Sequence, residues 1–258
     1  MRAPERPGPV RGLVAATSFL TRLPLGPLAG RVSEADLTAG VAWFPVIGGA
    51  VGLLGVTAGW LLALRTPTAL AAVVTVAVET VVTGAFHLDG LADTADGIGA
   101  ATTGRDGLRV MREPTVGAFG VVAVALDLSL RIAATGAVLS DGGLPWAVVA
   151  AAAGARFAPL LLARSIAYLR PETGSGSWVG DGPRTVPLAL AGSTALLLCA
   201  PLGPAGAAAV LGGVLAATLA VGATARRLFG GATGDVFGAS AELAQTVALT
   251  AVVAATGR

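Results

Sequence analysis

LTAGVAWFPVIGGAVGLLGVTAGWLLAL, residues Leu37–Leu64, is a run of 28 residues without a charge, closed by Asp36 on one side and Arg65 on the other. About 20 apolar helical residues cross the roughly 30 Å hydrocarbon core of a bilayer, so the run reads as a membrane span. Trp43 and Trp60 bracket it where amphipathic rings settle at the interface. Its many small residues suit a span, since they let helices approach closely where lipid gives no hydrophobic drive.

The rest of the chain has the same character. Of 258 residues, 54% are hydrophobic and 12% charged, and the mean hydropathy is +0.79. A soluble domain carries about 25% charged residues. Residues Pro67 to Phe86 are interrupted only by Glu79, Gly117 to Leu139 only by Asp127 and Arg131, and Pro145 to Ala163 only by Arg156. Between Arg184 and Arg226 lie 41 uncharged residues, enough for two spans with a turn at Pro201-Leu-Gly-Pro204. A last apolar stretch, Ala239 to Thr256, holds Glu242. The expected fold is an all-α polytopic transmembrane helix bundle of seven spans, or six if the last segment lies in or on the membrane. It forms a single integral-membrane domain over residues 1–258, with a cytoplasmic or interfacial N-terminal segment (1–36), an acidic loop (87–116) and a glycine-rich loop (226–238).

The basic residues are 17 arginines and no lysine, against 15 acids. A net charge of +2 is too small to argue for nucleic acid. Cytoplasmic loops collect Arg and Lys, and an N-inside topology puts 13 arginines on one face, with only Arg65 and Arg258 on the other and Arg131 and Arg156 within spans. All the long loops then open on the cytoplasm. One cysteine, Cys199, and one histidine, His87, exclude an internal disulfide framework and an ordinary zinc site.

The densest polar signal is Thr83-Gly-Ala-Phe-His-Leu-Asp-Gly-Leu-Ala-Asp-Thr-Ala-Asp-Gly97. In a helix Asp89, Asp93 and Asp96 fall at i, i+4 and i+7, within about 60° of one another. Like charges so close call for a cation, and all-oxygen donors suit Mg²⁺ or Mn²⁺ bridging carboxylates to a substrate phosphate; a solvated acidic loop is the plain alternative. His87 lies about 160° around from Asp89, as an interfacial hydrogen-bonding residue or a base. Glu79 is either a partner for Arg156 or a distant member of the acidic cluster, and Asp127 and Arg131, at i and i+4, neutralise each other. Arg105, Arg109 and Arg112 are placed to pair with phosphate oxygens or with the acids. Gly230-Gly-Ala-Thr-Gly-Asp235 can bring the backbone of Thr233 and Gly234 against an anion and set Asp235 beside a metal. Arg170 to Trp178 reads as a ligand-covering loop.

Taken together, these motifs resemble the cobalamin synthase family, the adenosylcobinamide-GDP ribazoletransferases. The matching stretches are Phe19-Leu-Thr-Arg-Leu-Pro24, Phe44-Pro-Val-Ile-Gly-Gly49, Thr83-Gly84 with His87 to Gly97, Gly117-Ala-Phe-Gly120 and Gly230 to Asp235. The resemblance implies an Mg²⁺-dependent phosphotransferase of the inner (plasma) membrane that joins adenosylcobinamide-GDP to α-ribazole or its 5′-phosphate and releases GMP. It assigns Asp89, Asp93 and Asp96 to the metal and pyrophosphate, with Asp235 as a further acid. An aspartate or His87 would take the nucleophile's proton. A homo-oligomer, or association with other corrinoid-pathway enzymes, is compatible with it. Where the family commonly has a Met-Lys-Asp-Ser type segment, this chain has Met111-Arg-Glu-Pro114. Two alternatives stand beside this reading. A CDP-alcohol phosphotransferase would need an Ala-Arg pair and a second aspartate spacing that Asp89-Gly-Leu-Ala-Asp93 lacks. A transporter would use Glu79, Asp127, Arg131 and Arg156 as an ion path, but no inverted repeat is apparent.

Overall fold

The computed structural model describes residues 8–25, 32–100, 104–140, 145–169, 183 and 185–256. The described residues are helical almost throughout. In chain order the helices are α1 (Pro9–Leu20), α2 (Glu34–Gly40), α3 (Phe44–Ala63), α4 (Thr68–Thr83), α5 (Phe86–Ala100), α6 (Gly104–Val110), α7 (Ala118–Ser140), α8 (Trp146–Ser165), α9 (Thr185–Cys199), α10 (Gly203–Phe229) and α11 (Gly234–Thr256). Five helical stretches are long and apolar enough to cross a bilayer, or six if the bent pair α4 and α5 counts as one. The expected count of seven treats the 45-residue stretch Thr185–Phe229 as two spans. The stretch is broken where expected, by the 3-10 turn Ala200–Leu202 and by Gly203 at φ +70°.

Hydrogen bonds tie helix ends together at both ends of the bundle. At one end Thr68 meets Ser140 at 2.9 Å, and the Trp146 indole donates to the Leu198 carbonyl at 2.7 Å. At the other, Arg226 donates to Ser165 O at 2.8 Å and the Arg22 amide to Val82 O at 2.8 Å. Arg11, Arg22, Arg105, Arg109, Arg112, Arg164, Arg226 and Arg227 belong to this second end, and Arg65 to the first. Arg2, Arg6, Arg31, Arg170, Arg184 and Arg258 lie outside the described residues.

Helix α8 is the central post, packed against α3, α9, α10 and α11. A glycine stripe on α3 allows this. A Cβ at Gly48 would be driven into the Ala152 carbonyl of α8, and one at Gly55 would sit 2.8 Å from Thr75 O of α4. The stripe thus holds α3 in backbone contact with both neighbours.

Buried charge locks the bundle across helices. Arg131 on α7 donates to Asp127 at 3.0 Å and to Glu242 on α11, and stands 4.0 Å from Glu79 on α4. Gln245 on α11 accepts from Arg156 of α8 at 2.7 Å and donates to Glu79 at 2.8 Å. Thr246 donates to Asp127 at 2.6 Å. The Asp127–Arg131 pair is the one expected. Glu79 serves the network rather than the acidic motif, reaching Arg156 through Gln245.

Removing one member of a buried ion pair costs about 3–5 kcal/mol, because the other charge is left uncompensated. Arg131→Met is therefore expected to lower the thermal midpoint of the detergent-purified protein far more than Leu130→Met, whose side chain faces outward. Gly48→Ala should also lower it by forcing α3 and α8 apart. Unfolding followed by tryptophan fluorescence checks both.

Candidate active site

Helix α5 is turned across the end of the bundle. Gly84 (φ +65°) closes α4 in the left-handed region, Ala85 follows at φ +57°, and the two helices meet at 91°. A non-glycine residue in that region costs about 1–2 kcal/mol, so the bend is imposed by its surroundings. Part of that surrounding is Arg22, whose side chain occupies the space a Cβ on Gly84 would need.

The acidic motif lies within α5, and the expected loop 87–116 consists largely of two helices, α5 and α6. Its three aspartates share a face but not an environment. Asp89 is exposed, and its carboxylate has no partner among the described residues. Asp93 is half-buried. Asp96 is buried, and both its oxygens are engaged: Oδ2 accepts from the Gly117 amide at 2.6 Å and Oδ1 from the Gly120 amide at 2.8 Å. These amides open α7, so Asp96 meets the free N–H groups and positive end of that helix. A Cβ at either glycine would lie 2.5 Å from an Asp96 oxygen, which accounts for the Gly-Ala-Phe-Gly spacing.

The second motif is shorter than the expected loop 226–238, because α10 runs to Phe229 and α11 starts at Gly234. The turn between them is held by Leu169 and Ala167, whose amide and carbonyl pair with Ala232 at 2.9 Å each. Thr233 donates its hydroxyl to Asp235 at 3.1 Å and accepts from the Val236 amide at 3.4 Å, capping α11.

The two motifs meet where α5 crosses α11. A Cβ on Gly90 would lie 2.7 Å from Asp235 O, and one on Gly238 would lie 3.3 Å from both Gly90 Cα and His87 O. Bare glycine on both helices lets their backbones touch, and this brings Asp89, Asp93 and Asp235 to one crossing. Among the described residues no three of His, Cys, Asp and Glu are grouped closely enough to hold a metal ion on their own.

The arginines of α6 and of the turn that follows it stand nearby. Gly104 lies against Leu228 O and Gly107 against the Phe229 ring, seating α6 on the end of α10. Arg109 pairs with Glu113 at 2.7 Å on the surface. Arg105 and Arg112 are exposed and have no partner among the described residues. The expected covering loop, Arg170 to Trp178, lies outside the described residues.

His87 is buried against α11, at 4% exposure, and its Nδ1 has no hydrogen-bond partner among the described residues. It lines a cavity with Phe19, Phe44, Phe86, Phe237 and Arg156. Sequence reasoning assigned Arg156 no place here, giving it as an intramembrane charge and a candidate partner of Glu79.

The chain matches the family Cobalamin-5-phosphate synthase over residues 12–253. It is 34% identical over 247 residues to an adenosylcobinamide-GDP ribazoletransferase from Ralstonia pickettii (strain 12J), covering 95% of each chain. To the protein of that name from Xanthobacter autotrophicus (strain ATCC BAA-1158 / Py2) it is 38% identical over 259 residues, covering 95% of this chain and 97% of the relative. A third, from Chlorobium phaeobacteroides (strain BS1), is 33% identical over 92% of this chain and 95% of its own. No solved structure matches the chain. With a match across nearly its whole length, the chain belongs to the cobalamin-5-phosphate synthase family.

Proposed function

We propose that the protein transfers the adenosylcobinamide phosphate moiety of adenosylcobinamide-GDP to α-ribazole or α-ribazole 5′-phosphate, releasing GMP. The observation that carries this reading is the α5–α11 crossing. It assembles carboxylates from two separate motifs of the matched family beside exposed guanidinium groups, the donor set a pyrophosphate substrate requires.

The residues fit a magnesium ion that is shared with substrate. Such an ion keeps several waters and takes only one or two protein carboxylates along with substrate phosphates. Asp89 and Asp93, one turn apart on α5, are suited to supply them, whereas Asp96 is committed to the amides of α7. Asp96 then acts as a positioning residue that fixes α5 against α7. A bound magnesium ion would supply positive charge to stabilise the departing GMP phosphate.

The chain's own groups do the rest. Arg105 and Arg112 are free to hold phosphate oxygens, and Arg109 joins them when it parts from Glu113. Thr233 and Gly234 stand at the start of α11, where the free amides of a helix N-terminus can meet an anion. The acceptor hydroxyl attacks the phosphorus next to cobinamide, the bond to the GMP oxygen breaks with its electron pair on GMP, and the hydroxyl proton passes to a carboxylate of the motif or to His87. We place the arginine-rich end in the cytoplasm, where arginine-rich loops of inner-membrane proteins stay and where nucleotides are found.

Detergent-purified protein is expected to release GMP from adenosylcobinamide-GDP only with α-ribazole and Mg²⁺ present; EDTA-insensitive release would remove the metal from the account. Asp89→Asn and Asp93→Asn should each lower kcat/KM by about 10²-fold or more, the scale of losing one transition-state charge contact, with unchanged thermal midpoints. Asp96→Asn should lower the midpoint as well, since an amide cannot accept two N–H bonds through both its heavy atoms. For orientation, Val116→Cys in a Cys199→Ala background should react with a membrane-impermeant maleimide only in inverted vesicles, and Arg65→Cys only in right-side-out cells. The opposite pattern would reverse the topology.

A further inference from the structure

Helices α7 and α10 each pack against α11, and between them and α5 lies a cleft of about 400 Å³. That is the size of a ligand site, about 300–1,000 Å³. On α5 it is lined by Leu91, Thr94, Ala95 and Ile98. At i, i+3, i+4 and i+7 these residues form one face of the helix, opposite the face of Asp89, Asp93 and Asp96. The wall on α11 runs from Ala239 to Val247, about 12 Å of helix. Exposed members of the lining mark the opening. Leu126 (60%) and Leu130 (53%) on α7 and Val247 (38%) on α11 belong to helices long and apolar enough to cross a bilayer. Exposed side chains of spanning helices meet acyl chains, so the cleft opens sideways into hydrocarbon, and exposed Ile98 carries the opening up to α5.

Two polar residues stand out along this apolar cleft. Asp127 in the lining is engaged by Arg131 and Thr246. Thr94, by contrast, is 6% exposed, and its hydroxyl has no hydrogen-bond partner among the described residues. A buried donor without an acceptor is costly, and a ligand that brings an acceptor removes the cost. The second residue is Arg227. Ala220 and Thr224 line the cleft on α10, and Arg227, seven and three residues further on, continues the same face beyond it at the arginine-rich end. It is exposed and has no partner among the described residues.

We infer that this cleft is a phospholipid site: one acyl chain enters it from the bilayer, an ester carbonyl accepts from Thr94, and an anionic phosphate meets Arg227. An acyl chain matches an apolar cleft that opens onto hydrocarbon, and basic residues at the ends of spanning helices attract anionic headgroups. A nucleotide base suits it poorly, since such a base needs several polar partners and the lining's carboxylate is already engaged. The site is independent of the transfer reaction in its chemistry but touches it through α5. A chain seated here fills the space on the side of α5 opposite Asp89 and Asp93, and so supports the helix that carries them.

Native mass spectrometry of the delipidated full chain, titrated in detergent with dioleoyl phosphatidylglycerol, tests the site. A single lipid per chain should bind ahead of all others, dioleoyl phosphatidylcholine about fivefold more weakly, and Arg227→Gln should reduce the first affinity to the second, the scale of one arginine at an anionic headgroup. Glycerol phosphate should not compete. Ala220→Trp, at an exposed position of the lining, should abolish the tightly held lipid. Thr94→Val should weaken lipid binding yet leave the thermal midpoint of the lipid-free protein unchanged or raised, because it removes an unpartnered hydroxyl. If Ala220→Trp does not fold, Thr94→Val and Arg227→Gln decide. Unchanged lipid retention in these variants would overturn the site. Competition by glycerol phosphate would reduce it to a phosphate contact, displacement of the lipid by adenosylcobinamide-GDP would give the cleft to substrate, and a dimer broken by Ala220→Trp with lipid retained would give it to a second copy; each overturns the proposal. Tight lipid binding without GMP release would support the site and count only against the transfer reaction.

Discussion

The guanidinium of Arg131 is the point on which this bundle depends. A buried cation is costly in an apolar interior unless carboxylates surround it, and Arg131 satisfies that need from two other helices, α4 and α11, as well as its own. Gln245 extends the arrangement to Arg156 on α8. Four helices are therefore fixed in register by polar contacts that lipid cannot supply, and α3, which carries no member of the network, is held against α8 and α4 through its glycines. The same network decides what is left for chemistry. Its acids are engaged with its arginines and with Gln245 and Thr246, so an ion path through them would have to break the contacts that hold the fold.

A second consequence concerns α5. With α4 anchored through Glu79, the chain must turn sharply after Thr83, and the left-handed pair Gly84 and Ala85 makes the turn. Helix α5 then lies across the bundle end, pinned at one side by Asp96 on the first turn of α7 and at the other by the glycine contact with α11. This leaves Asp89 and Asp93 on a rigid helix and not on a mobile loop, which matters because transfer between two bound substrates depends on holding reacting groups in place. Arg156 couples the two levels, since it is bonded to Gln245 of the locking network and also lines the aromatic cavity.

Much of this was legible in the sequence where the signal is local. Charge-free runs located the long helices, Pro201 to Pro204 marked the break between α9 and α10, and Asp127–Arg131 could be paired because i and i+4 face each other on any helix. The face shared by Asp89, Asp93 and Asp96 was likewise readable from helical period. What each aspartate meets was not, since the partners of Asp96 lie 21 and 24 residues away. The links from Arg131 to Glu242 and from Gln245 to Glu79 span 111 and 166 residues and leave no local trace. The helicity of 87–116 was obscured by its glycines, poor helix formers that are used here for contact with α11, α10 and Met111.

The most direct measurement is a cryo-EM map of the full chain in a lipid nanodisc with Mg²⁺ and adenosylcobinamide-GDP. The account predicts pyrophosphate density at the α5–α11 crossing, within coordination reach of a cation beside Asp89 and Asp93, with Asp96 still bonded to the amides of Gly117 and Gly120. Pyrophosphate density at any other place, or α5 swung away from α11, would contradict it.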